Sequence, residues 1–370
     1  MKIDDKTSHN SPSLRFPEFT GEWEKCKIED ITDAVSSGKS KNHFSNGEYN
    51  LYGSTGIIGR TDKALYDGKL VLVARVGANA GFLQIINEPC GITDNTLILK
   101  PKGIDAFYLY YFLQHFNLNR LIFGSGQPLI TGGMLKKVKV SLGTISEQSK
   151  IVKFLSLLDE RIAVQSRLIE DLKKLRCAIV EKMFKQSKAN GRLGDFIEQV
   201  SVRNKNGLYS NVLSVSNKQG FVKQSEQFED RTVASEDTSN YKIVKRNNFA
   251  YNPARINVGS IARLTKFDVG IVSPMYVCFR TKASIIPEYM EAFFTSQQFF
   301  YEMMKRLEGS VRLCLSYEGL CNIPVYIPDM NKQIAMGQNI SLILSKIGLE
   351  IEYLGRLHQQ KQYLLRKMFI

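Results

Sequence analysis

The chain has 370 residues, 43% hydrophobic and 23% charged, enough for two ordinary domains with real cores and too apolar for a disordered chain. Its formal net charge of +14 favours a polyanionic partner, nucleic acid or an anionic surface. No apolar run approaches the roughly 20 residues that span a bilayer. The opening MKIDDKTSHN also has no apolar core of the signal-peptide type, so a cytoplasmic location without a membrane is expected.

In chain order, residues 1–13 read as a flexible N-terminus. Residues 14–144 mix glycines and short β-prone runs with one helical stretch near Phe107–Phe116, and LKKVKVSL reads as a strand leading into a long helix. Residues 145–186 carry an unbroken heptad pattern. Its core positions are Ile151, Leu155, Leu158, Ile162, Gln165, Ile169, Leu172, Arg176, Ile179 and Met183. Residues 189–329 form a second mixed segment, with a helical stretch near Glu288–Leu307. Residues 330–370 repeat the heptads at Met336, Ile340, Ile343, Ile347, Glu350, Leu354, Leu357, Lys361, Leu364 and Met368.

The two heptad segments superpose without a gap at an offset of 185 residues: Gln148 falls on Gln333, Ile162 on Ile347 and Lys182-Met183-Phe184 on Lys367-Met368-Phe369. The polar breaks also match, Gln165 with Glu350 and Arg176 with Lys361. Such residues either fix the register or extend their heads out of the seam into water. Each helix, of about 38 residues and about 55–60 Å at 1.5 Å per residue, has too narrow an apolar stripe to stand alone. Its expected partner is its own repeat, in an antiparallel pair. The segments before the helices match more faintly, VLVARVGANAGFL on FAYNPARINVGSIARL with Arg75 on Arg255, and ITDNTLIL on VSPMYVCF. The expected fold is therefore α/β, with two similar mixed α+β heads joined by two long helices as a pseudo-twofold internal repeat.

Several stretches then identify a family by resemblance. LRFPEFTGEWE (Leu14 to Glu24), YGSTGIIG (Tyr52 to Gly59), LVARVGANAG (Leu72 to Gly81) and ISEQSKIVKFLSLLDERI (Ile145 to Ile162) resemble, in that order, the specificity subunits of Type I restriction–modification systems. The resemblance implies two target recognition domains, at 14–144 and 189–329, and two conserved spacer helices, at 145–186 and 330–370. It implies that each head reads one half of a bipartite site in double-stranded DNA. It also implies two methyltransferase (modification) subunits as partners, which methylate adenine with S-adenosylmethionine and which restriction subunits using ATP and Mg2+ can join in host defence. No cofactor is expected in this chain. The sequence departs from the pattern in the second head, where VLSVSNKQGF (Val212 to Phe221) stands in place of a YGSTG-like loop.

On this reading lysines and arginines hold phosphates, and a few side chains read base edges. In the first head the candidates are Lys39, Lys41, Tyr52, Ser54, Thr55, Arg60, Lys63, Arg75, Asn79, Asn95, Ser125 and Gln127. In the second they are Arg203, Asn204, Lys205, Lys218, Lys223, Asn252, Arg255, Asn257, Arg263, Ser310 and Arg312. Each, taken singly, also reads as a solvated surface group. Arg75 and Arg255 are favoured because each stands before a Gly-rich turn at the end of an apolar strand. Helices of the lengths above are of the order of 20 base pairs, about 68 Å at 3.4 Å per pair, so the pair could act as a ruler between half-sites.

Enzyme signals are weak. FGSGQP mimics a methyltransferase FxGxG turn but lacks the Pro-Pro-aromatic companion. No GxxxxGK[ST], GxSxG or HExxH is present, and six cysteines without CxxC spacing and four scattered histidines give no metal site. A non-catalytic subunit is expected. The competing reading is a non-enzymatic coiled-coil scaffold whose two heads bind proteins.

Overall fold

The heptad steps become two unbroken helices, Ile145–Lys185 and Met330–Met368. This is seen in a computed structural model that describes residues 10–41, 46–122, 128–185, 188–217, 219–227, 237–310 and 312–370. Two compact units result: Met1–Ser166 with Glu352–Ile370, and Arg167–Ile351. These units do not follow the linear order of segments. Each combines one head with part of both long helices, as antiparallel packing of the helices requires.

In the first unit the direction of pairing is explicit. Asp159 on the first long helix meets Lys361 on the second at 2.6 Å, while Arg161 lies over the Tyr353 ring at 5.4 Å. Rising numbers on one helix thus meet falling numbers on the other. Ile151, Leu155 and Leu158 share a core with Leu357, Leu364 and Met368. Lys361 is therefore no snorkelling side chain: Asp159 holds it, and it also lies over the ring of Tyr111. In the second unit Ile340 shares a core with Val180 and Phe184, and Glu350 pairs with Lys346 at 2.5 Å. Every apolar heptad residue proposed for the seam is buried or half-buried: Ile151, Leu155, Leu158, Ile162, Ile169, Leu172 and Ile179 on the first helix, and Ile340, Ile343, Ile347, Leu354, Leu357 and Leu364 on the second.

The first head is built on two sheets and a ribbon. Strands β1 (Glu24–Lys27) and β9 (Lys139–Leu142) pair antiparallel, the latter leading into the long helix. One sheet has the order β2 (Thr32–Ser37), β8 (Thr96–Pro101), β5 (Lys69–Ala74), β6 (Leu83–Asn87). The other has β4 (Gly56–Thr61), β3 (Tyr49–Gly53) and β7 (Cys90–Ile92), with β3 and β7 parallel. The run KLVLVA forms the central strand because both its faces are covered. Val71 and Val73 enter the core shared with the helix Ala106–Phe116 and the long helices, while Leu70 and Leu72 enter a second core with Cys90 and Ile92.

The second head repeats this plan. It has β10 (Gly191–Arg192) against β19 (Pro324–Val325), and a sheet of β11 (Ile197–Val200), β18 (Val277–Thr281), β15 (Phe249–Tyr251) and β16 (Ile261–Arg263). A second sheet contains β13 (Gly220–Lys223), β12 (Val212–Ser216), β17 (Val269–Val272) and β14 (Lys242–Lys245). VLSVSNKQGF thus supplies the hairpin that YGSTGIIG supplies in the first head. Strand β14 extends what is an isolated Tyr66–Cys90 bridge there. The single helical stretch expected near Glu288–Leu307 is two helices, Pro287–Phe294 and Gln297–Met304. The break falls at Ser296, whose hydroxyl caps the second helix by accepting from the Phe299 amide at 3.1 Å.

Both junctions into the long helices use the matched glutamines. Gln148 Nε2 donates to the Gly143 carbonyl at 2.9 Å, and Gln333 Nε2 to the Pro328 carbonyl at 3.0 Å. The first junction carries an additional clamp. Glu147 is fully buried, bound by Arg15 through Nε at 2.6 Å and a second guanidinium nitrogen at 2.8 Å, and by Trp23 Nε1 at 3.1 Å. A Cβ on Gly143 would lie 2.4 Å from that carboxylate, so only glycine fits. Residues 10–13, expected within a flexible N-terminus, are instead held. The Asn10 carbonyl accepts from the Trp23 amide at 2.8 Å, and Leu14 N–H donates to the Lys367 carbonyl at 2.9 Å, filling an acceptor at the end of the second long helix. Glu147→Ala would leave the Arg15 charge uncompensated. We expect a loss of about 3 kcal/mol, read by urea unfolding followed at Trp23, the single tryptophan of the chain.

Candidate nucleic-acid interface

Four segments of the first head meet at the end of its central strand. The Arg75 amide donates to the Asn95 carbonyl at 2.9 Å, and the Arg75 carbonyl accepts from Ile130 at 2.8 Å. Ser54 Oγ donates to the Asn95 carbonyl at 3.2 Å, and Gln84 Nε2 donates to the Gly53 and Ser54 carbonyls at 3.0 and 3.1 Å. The turn at Ser54–Thr55, the loop Arg75–Gly81, Asn95 and the segment from Pro128 are thus stitched together by bonds to backbone carbonyls. Gly77 and Gly81 take the left-handed conformation (φ 80° and 87°) that the tight return to β6 needs. Thr55, Asn79 and Asn95 are exposed. The Arg75 Nε is buried without a hydrogen-bond partner among the described residues. Ser125 and Gln127 lie outside the described residues.

Beside this edge, Lys39, Lys41 and Lys63 line a depression with Ser40, Thr61, Asp62 and Leu65, three cations against one carboxylate. Arg60 is exposed and donates to the Glu48 carbonyl at 3.3 Å. Tyr52 is tied inward. Its hydroxyl donates to Glu88 at 2.6 Å, next to the Asn50 amide at 2.8 Å. The bonds from Asn50 and then Tyr52 hold the Glu88 carboxyl below the usual carboxylate range, and burial, then Glu88, push the Tyr52 phenol up.

The second head presents the same edge with other side chains. The Pro253 carbonyl accepts from Leu315 at 3.1 Å, the counterpart of Arg75 with Ile130. Val73 pairs with Leu83 and Tyr251 with Ile261, ten positions apart in both heads, so the loops are of equal length. This register corrects the sequence alignment: Arg75 corresponds to Pro253, and Arg255 stands two residues further along, opposite Gly77. Asn252 is used locally, its Oδ1 accepting from Ala254 at 3.0 Å and its Nδ2 lying 3.9 Å from Met275 Sδ. Arg255 is exposed and Asn257 half-buried. Ser310 and Arg312 are exposed on a loop closed by the Glu308–Cys314 bridge. No ion pair is formed by Arg255 or Arg312 among the described residues. Lys205 and Lys223 are exposed, and Arg203 donates to Asn240 at 3.0 Å. Lys218 lies outside the described residues.

Two candidates are structural. Asn204 is buried and its amide bonds the Tyr209 backbone at 2.8 and 3.2 Å. The Arg263 side chain, only 9% exposed, is clamped by Glu288 and by Glu291 at 2.9 Å, with Asn247 at 3.1 Å, so its charge is spent inside the head. Burial pushes the Glu291 carboxyl up, and Arg263 opposes that rise. Met275, 61% exposed in the loop that corresponds to the one carrying Asn95 in the first head, is a member of this edge not chosen from the sequence. The match of ITDNTLIL to VSPMYVCF is the signal that places it on Asn95.

Residues 20–174, the first head and most of its long helix, match the family described as Type I restriction modification DNA specificity domain. Over 97% of this chain and 99% of the other, the fold is similar to the crystal structure of a Type I restriction–modification S subunit from M. genitalium, with a TM-score of 0.64 and 20% identity. Over residues 20–174 the chain is similar to the Type I restriction–modification specificity family. A putative Type I specificity subunit of Mycoplasma genitalium is 28% identical over 176 residues, covering 45% of this chain and 46% of the relative. The MjaVIII specificity subunit of Methanocaldococcus jannaschii is 30% identical over 119 residues, 31% of this chain and 28% of its own. The matched stretches thus span about half of the first relative and less of the second. A structure from a study of assembly and conformational transition in the Type I system is similar with a TM-score of 0.56 at 11% identity, over 95% of this chain and 98% of the other.

No helix among the described residues is long and apolar enough to cross a membrane. Within them no three His, Cys, Asp or Glu side chains are grouped to hold a metal.

The two arginine environments separate in stability. Arg263→Ala should cost about 2–3 kcal/mol because Glu288 and Glu291 lose their counter-charge, whereas Arg255→Ala should stay within about 0.5 kcal/mol; chemical denaturation of the two variants checks this. Glu88 carries a lowered folded value, so its stabilising contribution is full above the ordinary carboxylate range and is lost as pH falls through that lowered value. The stability gap between the wild type and Tyr52→Phe should therefore be widest near neutral pH and shrink below the usual carboxylate range, as measured by unfolding across pH.

Proposed function

We propose that this chain is the DNA-reading subunit of a Type I restriction–modification complex, each head reading one half of a bipartite site. The observation that carries this reading is the repeated loop edge. Both heads use matching strand registers to hold loops at the same edge, with an arginine free of ion pairs among the described residues in each and exposed Asn79 and Asn95 amides in the first. Lysines beside the edge suit phosphates, while Arg75, Asn95, Arg255 and Arg312 suit base edges. On this reading the chain is non-catalytic and cytoplasmic. Modification subunits supply adenine methylation with S-adenosylmethionine, and restriction subunits with ATP and Mg2+ can join them.

The long helices support protein partners as well. In the first unit Leu157 and Val164 are 56% and 64% exposed, and in the second their repeat-matched residues Leu342 and Leu349 are 68% and 61% exposed. Outward apolar residues repeated at heptad spacing suit partner helices.

The test is binding and methylation by the complex with its modification subunits. Affinity for duplex DNA should fall steeply and linearly in log–log terms with salt, and the methylated motif should have two separated parts. Arg75→Ala should weaken or relax one part on the order of tenfold to a hundredfold, leaving the other intact. Equal loss at both parts would remove the assignment of one head to each half-site.

A further inference from the structure

The loop between β7 and β8, and its counterpart between β17 and β18, present one outward side chain each at matching positions. In the first head Thr96 N–H closes the turn onto the Thr93 carbonyl at 3.1 Å; in the second, Tyr276 closes it onto Ser273 at 3.1 Å. The third residue of each turn is Asn95 in one head and Met275 in the other, and both are exposed. Each also sits centrally on its edge. The Asn95 carbonyl receives both the Arg75 amide and the Ser54 hydroxyl, and Met275 Sδ lies 3.9 Å from the Asn252 amide.

The surroundings differ in the same sense as the two residues. On the adjoining loops the second head exposes Val258 (52%) and Leu313 (46%). The matching positions in the first head hold Ala80, buried at 6%, and the half-buried Pro128. At these two positions the second edge is the more apolar, around Met275 and with Arg255 and Arg312 at its sides, while the first edge exposes Phe82 and Leu129 on the neighbouring segments and amides at Asn79 and Asn95. In the major groove an asparagine amide matches the N6 donor and N7 acceptor of adenine, and the thymine methyl is the apolar group presented at base edges. A methionine, flexible and polarisable, packs against such a methyl without demanding a fixed geometry.

Resting on the DNA-reading function proposed above, we infer that Asn95 and Met275 set the base at one matching position of the two half-sites, Asn95 by hydrogen bonds to adenine and Met275 by contact with a thymine methyl. The two half-sites then differ at that position because the same backbone turn carries an amide in one head and an apolar side chain in the other.

The experiment is sequencing of modified adenines in DNA methylated by the intact complex carrying wild-type chain, Asn95→Met, Met275→Asn, Asn95→Gln or Met275→Leu. Asn95→Met should lose the adenine preference at one position of one half-site, on the order of tenfold to a hundredfold, with the other half unchanged. Met275→Asn should lose the thymine preference in the other half. Asn95→Gln and Met275→Leu, which keep the amide and the apolar character, should retain the wild-type base. A wild-type complex without a two-part motif would overturn the DNA-reading function itself. A two-part wild-type motif that Asn95→Met and Met275→Asn leave unaltered, or alter in both halves, overturns this assignment alone. So does loss of the wild-type base in the Gln and Leu variants.

Discussion

A helix of some forty residues with a seam of one apolar residue every three or four positions cannot bury enough surface on its own. The arrangement of this protein follows from that deficit. The seam of each long helix is covered in part by the other helix and in part by a head, and no boundary separates the two kinds of cover. One continuous core runs from Val71 and Val73 in the central strand of the first head, through the aromatic face of the helix Ala106–Phe116, to Leu155 and Leu364 on the long helices. Phe184 plays the same part in the second unit, packing on Tyr289 and Phe293 with ring centroids 5.3 and 5.2 Å apart. Each head is therefore set on its helices by packing, and this holds its loop edge in a defined orientation with respect to them.

The polar groups divide along the same line. Where charge enters the packed region it is matched: Arg15 with Glu147, Arg263 with Glu288 and Glu291, and Lys361 with Asp159. An unmatched charge there would cost several kcal/mol. At the loop edges the opposite holds, because water solvates a free guanidinium at little cost until a partner arrives. Arg255 and Arg312 can stay uncommitted because they are exposed, whereas Arg75 is half-buried and its Nε has no partner among the described residues.

Sequence pattern revealed the features that depend on periodicity. The 185-residue repeat, the heptads, the buried central strand KLVLVA and the strands entering the helices are all visible in it, since burial on one face or two writes itself into spacing. The features it concealed depend on hydrogen bonds between distant residues. Arg75 and Arg255 align as letters, but the strand register sets Arg75 against Pro253. Arg263 reads as a surface cation until the helix Pro287–Phe294 brings two glutamates to it. The stretch near Glu288–Leu307 reads as one helix, yet a serine hydroxyl that satisfies a backbone amide divides it. Met275 was overlooked because a single exposed apolar residue is ordinary on a protein surface; only the equivalence of the two heads gives it meaning.

The bond from Leu14 to the Lys367 carbonyl has a topological consequence. The first long helix passes into the second head through continuous chain, whereas the second long helix meets the segment that leads into the first head through hydrogen bonds to the Lys367 carbonyl. Closing so long a stretch costs only modestly more entropy than closing a short one, because the cost grows with the logarithm of length. The architecture is thus indifferent to which of the two joints is covalent. The two joints thus do the same mechanical work by different means, one through the covalent chain and the other through hydrogen bonds to a helix-terminal carbonyl.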